Sequence, residues 1–551
     1  MVRFWTVRRV VQFLLLFTAV FALTVGLQAV NGAFSNEFGS YSDEPAHFVT
    51  GLMVGDFLRS GDWLSPVKFA EHFYLHYPKV AIGHWGLTFY VVQGVWEQVF
   101  GASRVSVLLL MAIITSVLAI SVYYLIPGWV PRYIALALTL CLPFTNVFQR
   151  TTNSIMCDPL SSLLIFWAAI CWGRFLDGGK ARYSVAFGVL ASLAILTRGD
   201  GLLLAFLPPL TLLFSRRFEL LATLRFWYPA GLVALICGPW YMATLAMQKN
   251  GMTSESFSAE FVGKAVPYYS REAVNVAGIF MCILAAFGLA AWKGRAADDP
   301  RFKGPFYALA ALFLVGLAFH VLVPAGFEER YLSVLVAPIL VFAAVGMERV
   351  AGHVSRFGLQ PTACMVAVAS GAFLGFAIRA GCGNAPANHG FTAILEDIDR
   401  VAPFQKSGRM LISSDEIGEG MFVAAVAIRD TRPGRYALRA SKCLATSRWD
   451  GRNYRTLFDS PDAVATWLEQ SGIEVLVVDN RPQTDSPEQR QLQEVVQSRH
   501  DRWQEVGTYD LVRNGQCDHN CITVYRLAGP DTNVAGELEI NMSEMLGRNI
   551  H

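Results

Sequence analysis

The feature that most restricts how this chain can fold is a series of long apolar stretches without a single charged side chain. They cover residues 10–36, 105–131, 133–149, 159–173, 183–197, 201–215, 226–248, 273–292, 304–327, 331–347 and 357–378. A helix needs about 20 mostly apolar residues to cross the hydrocarbon core, somewhat fewer where flanking side chains snorkel. Most runs qualify unaided, and the shortest reach that length with apolar neighbours such as Phe175, Leu176 and Ile155. Charged residues make up only 16% of the chain, against about a quarter in a soluble domain. The expectation is a polytopic α-helical membrane protein of about 11 spans, with a long outer first loop carrying juxtamembrane helices. A C-terminal α/β extracytoplasmic domain completes it. The first run follows Arg3, Arg8 and Arg9 and is too long for the core of a signal peptide, so it reads as an uncleaved helix.

Basic residues concentrate in short cytoplasmic loops. With the N-terminus inside, alternate connections carry them: Arg174, Lys180 and Arg182; Arg216, Arg217 and Arg225; Lys293, Arg295, Arg301 and Lys303; Arg349 and Arg356. This register requires that residues 84–100, which contain Gln93, Glu97 and Gln98, lie along the interface rather than cross it. Residues 37–103, 150–158, 248–272 and 327–331, and all that follows residue 381, then fall outside.

The domain plan is residues 1–381 in the membrane, 382–528 as the α/β domain, and 529–551 as a loose polar tail. Strand-like Met410–Ser413, Glu474–Asp479 and Ile522–Arg526 alternate with a helical stretch at Asp462–Gln470. Four cysteines fall here (Cys382, Cys443, Cys517 and Cys521), a number compatible with two disulfides in an oxidising compartment. The net charge of +2 and the lack of a basic tract give no sign of a nucleic-acid partner.

Candidate chemistry gathers on the outer face. Tyr41-Ser-Asp43-Glu44-Pro-Ala-His47 follows the first helix; read plainly, Asp43 caps the next helix and Glu44 occupies its first turn. The loop continues through Tyr74-Leu-His76-Tyr-Pro78-Lys79 to His84-Trp85. Asp158-Pro159 opens a later run and alone reads as a helix start. Arg198, in Thr197-Arg-Gly-Asp200-Gly, and Arg330, in Glu328-Glu-Arg-Tyr331, stand at outer helix ends. They read either as snorkelling cations or as partners for a phosphate, whose oxygens match the guanidinium fork.

The order of these motifs is itself informative. Asp43-Glu44, Ser60-Gly-Asp-Trp63 with Pro66, Tyr74 to Pro78, His84-Trp85, Phe100-Gly101, Asp158-Pro159 and the basic residue before Gly199 follow one another over roughly residues 1–350. The series resembles the C-type membrane glycosyltransferases that use polyprenyl-phosphate sugars, in the branch of the lipid A aminoarabinose transferase and the protein O-mannosyltransferases. The resemblance implies an inverting transferase on the extracytoplasmic face of a bacterial inner membrane. Its donor would be a polyprenyl-phosphate-linked sugar, and its acceptor a lipid, glycan or protein.

The resemblance also assigns roles. Asp43 is the catalytic base, Glu44 supports it or helps bind the acceptor or a cation, and Asp158 shapes the site or binds metal. Arg198, Arg330 and Tyr331 hold the donor phosphate, and Tyr74, His76, Lys79 and His84 belong to the substrate-binding first loop. One departure stands out: the closest branch has an acidic residue and a lysine just before the loop proline, where this chain has His76 and Tyr77. No cofactor is certain. A divalent metal ion is one option that Asp43, His76 and Asp158 offer.

Two other classes compete. A transporter calls for ionisable residues at mid-membrane and repeated halves, whereas these runs hold only His320. A non-catalytic scaffold would use the α/β domain to bind a partner.

Overall fold

The computed structural model describes residues 7–81, 83–126, 130–251, 257–290, 303–358, 360–381, 387–402, 408–448, 451–481, 486–528 and 536–551. The first run forms α1 (Val7–Val30). The juxtamembrane helices expected in the first loop are α2 (Glu44–Ser60), α3 (Pro66–His76) and α4 (Thr88–Phe100). α4 is only 13 residues long and lies against α2. Its buried Gln93 donates to Phe48 O at 3.1 Å and to Glu97 Oε1 at 2.8 Å. The two helices touch at Gly55 and Gly94, where a Cβ on Gly94 would lie 2.7 Å from Gly55 N.

The bundle continues with α5 (Arg104–Leu125), α6 (Arg132–Phe144), α7 (Asn146–Thr152), α8 (Asp158–Gly178) and α9 (Ala181–Ile195). A 3₁₀ stretch at Gly199–Phe206 runs on into α10 (Leu207–Ser215). Then follow α11 (Leu224–Gly251), α12 (Ala259–Ala277), α13 (Ile279–Ala290), α14 (Lys303–Leu322), α15 (Ser333–Val354) and α16 (Pro361–Gly381). Among the described residues seven helices are long and apolar enough to cross a membrane, and an eighth counts if α12 and α13, bent by 102°, form one span. The other three runs are the shorter apolar helices α6, α9 and Gly199–Ser215. Among the described residues every run is therefore largely helical, three of them as shorter helices.

Burial sorts the spans. The apolar window of α1 is 11% buried and that of the α15 span 89%, so α1 turns its side chains outward while α15 threads the centre. α13 and α15 approach through small residues: a Cβ on Gly346 would meet Leu284 O at 1.9 Å.

The α/β domain holds a five-stranded sheet in the order β2-β1-β5-β7-β6. β1 (Arg409–Ser413), β2 (Tyr436–Arg439) and β5 (Val475–Asp479) are parallel, while β6 (Trp503–Arg513) and β7 (Gln516–Leu527) join antiparallel. A small ribbon of β3 (Ala445–Thr446) and β4 (Arg455–Thr456) lies apart. The three expected strands are β1, β5 and β7, and the expected helix is α20 (Pro461–Gln470). The other helices are α17 (Phe391–Val401), α18 (Glu416–Arg429), α19 (Ala440–Cys443) and α21 (Pro487–Ser498).

This domain is fastened to the first loop. Glu37 accepts from Phe391 N at 3.1 Å and Thr392 N at 2.9 Å, so a loop carboxylate caps α17. Arg432 grips Asp56 at 2.7 Å, and the Tyr77 hydroxyl donates to Asp430 at 3.0 Å.

Two expectations change. The stretch 536–551 is not loose: Ile540, Met542 and Ile550 are buried, Tyr74 donates to Met542 Sδ at 3.3 Å, and Arg548 pairs with Glu71. Cys443, Cys517 and Cys521 are free thiols rather than disulfides, and Cys382 lies outside the described residues.

Candidate active site

Asp43 occupies the cap position of α2 but makes no capping hydrogen bond. Its Oδ2 instead accepts from Arg330 Nη2 at 2.8 Å. Arg330 comes from the 3₁₀ turn Glu329–Leu332 that leads into α15. Burial raises the carboxyl of Asp43, but the charge and hydrogen bond of Arg330 outweigh it and hold the group below the usual aspartate range. Asp43 is therefore ionised at neutral pH.

A second pair stands beside the first. Arg198, at the turn after α9, donates through Nη1 to Asp158 Oδ1 at the first residue of α8, and its Nε lies 3.3 Å from Asp200 Oδ2. The Arg198 guanidinium sits over the Tyr331 ring at 4.7 Å, and that of Arg330 over the Tyr41 ring at 5.4 Å. Arg150, paired with Glu329, covers Tyr41 at 5.1 Å. Asp158 Oδ2, Arg330 Nε and the Tyr41 hydroxyl are buried without a hydrogen-bond partner among the described residues. Orphaned polar atoms of this kind are costly unless a polar ligand or water meets them, and here they line a site rich in arginine.

Asp43 also faces a cavity of about 980 Å³ between the first loop and the α/β domain. Of the predicted loop residues, Tyr74, Lys79 and His84 line it. Lys79 reaches across to Glu416 at 3.3 Å. Trp85, also in the wall, stacks on His47 at 4.2 Å. Burial pushes the His47 imidazole down to about 4, against the opposing effect of Asp43, so it is neutral at pH 7.

The structure gives two predicted residues other employment. Glu44 is fully buried and accepts from Arg104 Nε at 2.9 Å, Ser40 N at 3.1 Å, Gly39 N at 3.2 Å and Ile155 N at 3.3 Å. Its oxygens are committed to holding the loop, which leaves none for an acceptor or a cation. His76 stacks on Tyr436 at 3.9 Å, with Nδ1 3.0 Å from Gly434 O, and so fastens the α/β domain instead of lining the cavity.

The proposed metal candidates are likewise not gathered: Asp43 faces Arg330, Asp158 faces Arg198, and His76 faces Tyr436. Among the described residues the one set of three groups spaced to hold an ion is exposed Asp510, Cys517 and His519, on the β6–β7 hairpin. The sequence reading gave no role to Arg104, Arg150 or Tyr41. Arg104 and Arg150 sit at the ends of apolar runs, where an arginine looks like any flanking cation.

Comparison with solved structures settles the architecture. The structure superposes on ArnT from Cupriavidus metallidurans bound to undecaprenyl phosphate with a TM-score of 0.58, over 94% of this chain and 99% of that one, at 14% identity. The chain has an ArnT-like fold. The same fold relates it to the Archaeoglobus fulgidus oligosaccharyltransferase solved with Zn and sulfate, with a TM-score of 0.52 over 84% of this chain and 68% of that one, at 13% identity. Residues 87–242 match the family model for dolichyl-phosphate-mannose-protein mannosyltransferases. No curated protein sequence matches the chain. The segment matched by that model contains Asp158 and Arg198, while Asp43 and Arg330 lie on either side of it.

Proposed function

We propose that this chain is an inverting glycosyltransferase that moves a monosaccharide from a polyprenyl-phosphate carrier to an acceptor hydroxyl or other nucleophile. The reaction takes place on the extracytoplasmic face of a bacterial inner membrane, an orientation supported by the basic residues of alternate loops. The observation that carries the reading is the double position of Asp43, which lines the cavity and is bound to an arginine of the anion-suited cluster.

The donor phosphate binds Arg198 and Arg330, whose fork geometry suits its oxygens. When it takes Arg330, Asp43 loses its partner and becomes a stronger base. Asp43 then accepts the acceptor proton as the acceptor oxygen bonds to the anomeric carbon. The bond from that carbon to the phosphate oxygen breaks, and its electron pair leaves with polyprenyl phosphate. Attack from the face opposite the phosphate inverts the anomeric centre. The arginines offset the charge that grows on the departing phosphate, and Tyr331 keeps Arg198 flat and in place. Glu44 acts through Arg104 to hold Asp43 at the cavity. A divalent ion is compatible with this face, where Asp158 Oδ2 has no hydrogen-bond partner among the described residues, and no step is assigned to one.

The test is to incubate the purified protein in lipid with a panel of polyprenyl-phosphate sugars and acceptors, and to follow free polyprenyl phosphate by mass spectrometry. Release with one sugar, absent from the Asp43→Asn variant, is the expected result. Release that persists undiminished in that variant would overturn the role of Asp43, and silence with every donor and acceptor would overturn the function.

A further inference from the structure

The roof of the cavity is made by one edge of the α/β domain. Ser414, Asp415 and Glu416 directly follow β1, and Ser441 and Lys442 closely follow β2. Pro487 and Glu488, the first residues of α21, complete it. The first two groups stand at the carboxyl ends of the parallel strands β1 and β2. Open α/β sheets bind ligands in the crevice beyond those ends, and here that crevice opens onto Asp43. The domain thus turns its ligand-binding edge, not its back, to the reaction site.

The charges in the roof narrow the ligand. Arg439 is bound to Glu419 at 2.9 Å, and Lys79 to Glu416 at 3.3 Å. Lys442 stands beside both cations, and among the described residues it forms neither hydrogen bond nor ion pair. Burial, and after it the charge of Arg439, push its ammonium down to about 7, although Glu419 opposes the shift. The acids of the wall already have partners, Glu419 with Arg439, Glu416 with Lys79, Asp415 with Arg481 and Arg513, Asp43 with Arg330 and Glu488 with Tyr454, which leaves Lys442 short of one anion.

Resting on the transferase reading above, we propose that the carboxyl ends of β1 and β2, with the first turn of α21, form the acceptor subsite, and that Lys442 there binds an oxyanion group, phosphate or carboxylate, carried by the acceptor. Lys442 is a specificity residue for the acceptor and takes no part in bond making.

The test does not need turnover. The protein in phosphatidylcholine nanodiscs is treated with an amine-acylating reagent at pH 7, and modification of Lys442 is read by mass spectrometry against exposed Lys68. Millimolar inorganic pyrophosphate is compared with sodium chloride of equal ionic strength, and phosphatidic acid nanodiscs with phosphatidylcholine ones. Several-fold protection of Lys442, with Lys68 unchanged, is expected. Protection by pyrophosphate indicates a free or polymer-borne anion, whereas protection by phosphatidic acid alone indicates a lipid headgroup. Protection by neither would overturn the proposal, while a silent donor panel would instead sink the transferase reading. With donor and acceptor in hand, Lys442→Gln should raise the acceptor KM about tenfold, leave kcat and the donor KM unchanged, and be rescued by Lys442→Arg. An unchanged acceptor KM would also overturn it.

Discussion

Asp43 and Arg330, 287 positions apart in the chain, are joined by a 2.8 Å hydrogen bond at the edge of the cavity. The pair neutralises both groups before substrate arrives and makes the base and the phosphate site parts of one device. Replacing Asp43 by Asn keeps the shape and removes the basicity. Turnover should fall about 10²–10⁴-fold while the protein still inserts and folds, as judged by yield, size-exclusion profile and polyprenyl phosphate release.

The same pair sets a pH response. Arg330 holds the Asp43 carboxyl below its ordinary value, while burial works in the other direction. In Arg330→Gln the largest effect opposing burial is gone and only those of His47 and Lys79 are left, so the Asp43 pKa rises. The acidic limb of the kcat/KM profile should then move to higher pH, accompanied by a raised donor KM. A limb that stays in place would show that Arg330 does not tune Asp43.

Glu44 should behave differently from its neighbour. Its carboxylate and Arg104 form a buried ion pair, 0% and 6% exposed. Removing one partner of such a pair costs about 3–5 kcal/mol, because the other charge stays buried and unpaired. Glu44→Gln should therefore lower thermal stability in detergent markedly, and the double variant with Arg104→Met should recover part of the loss. An unaltered melting temperature in Glu44→Gln would refute the strut.

His47 predicts an acid-sensitive fold. Its imidazole has a folded pKa near 4 against an ordinary value of 6.5, so the unfolded chain takes up a proton that the folded one refuses. Stability should fall as pH drops from about 6.5 to about 4, by about 3 kcal/mol in all. Denaturation midpoints across this range should vary less steeply in His47→Asn.

Much of the architecture was legible because the period of charge-free runs is a property of the chain alone. Three charged residues of the site could be named for the same reason: Asp158, Arg198 and Arg330 sit at the ends of those runs, and a topology map places run ends on faces, whereas Asp43, beyond the first run, was named through the order of motifs. What could not be read depends on pairing. Glu44 meets Arg104 across 60 positions, and His76 meets Tyr436 from another domain; nothing local marks either contact. Residues 536–551 look loose because their few apolar side chains show no period, yet Met542 finds its place against Tyr74. The lengths of α6 and α9 could not be read either, because absence of charge measures apolarity, whereas helix length is decided by breaks such as Thr145 and Leu196.

The eight residues from Glu37 to Glu44 are tethered at both ends by acids with different anchors. Glu37 is tied to the first turn of a helix in the α/β domain, and Glu44 to an arginine rooted in the bundle. Asp43 rides on this short bridge. If the roof lifted to admit a bulky acceptor, the Glu37 end would travel with it, and the tension holding the base in place would slacken. Loading the chamber and disarming it would then be a single mechanical stroke, and the reaction would await the closing one.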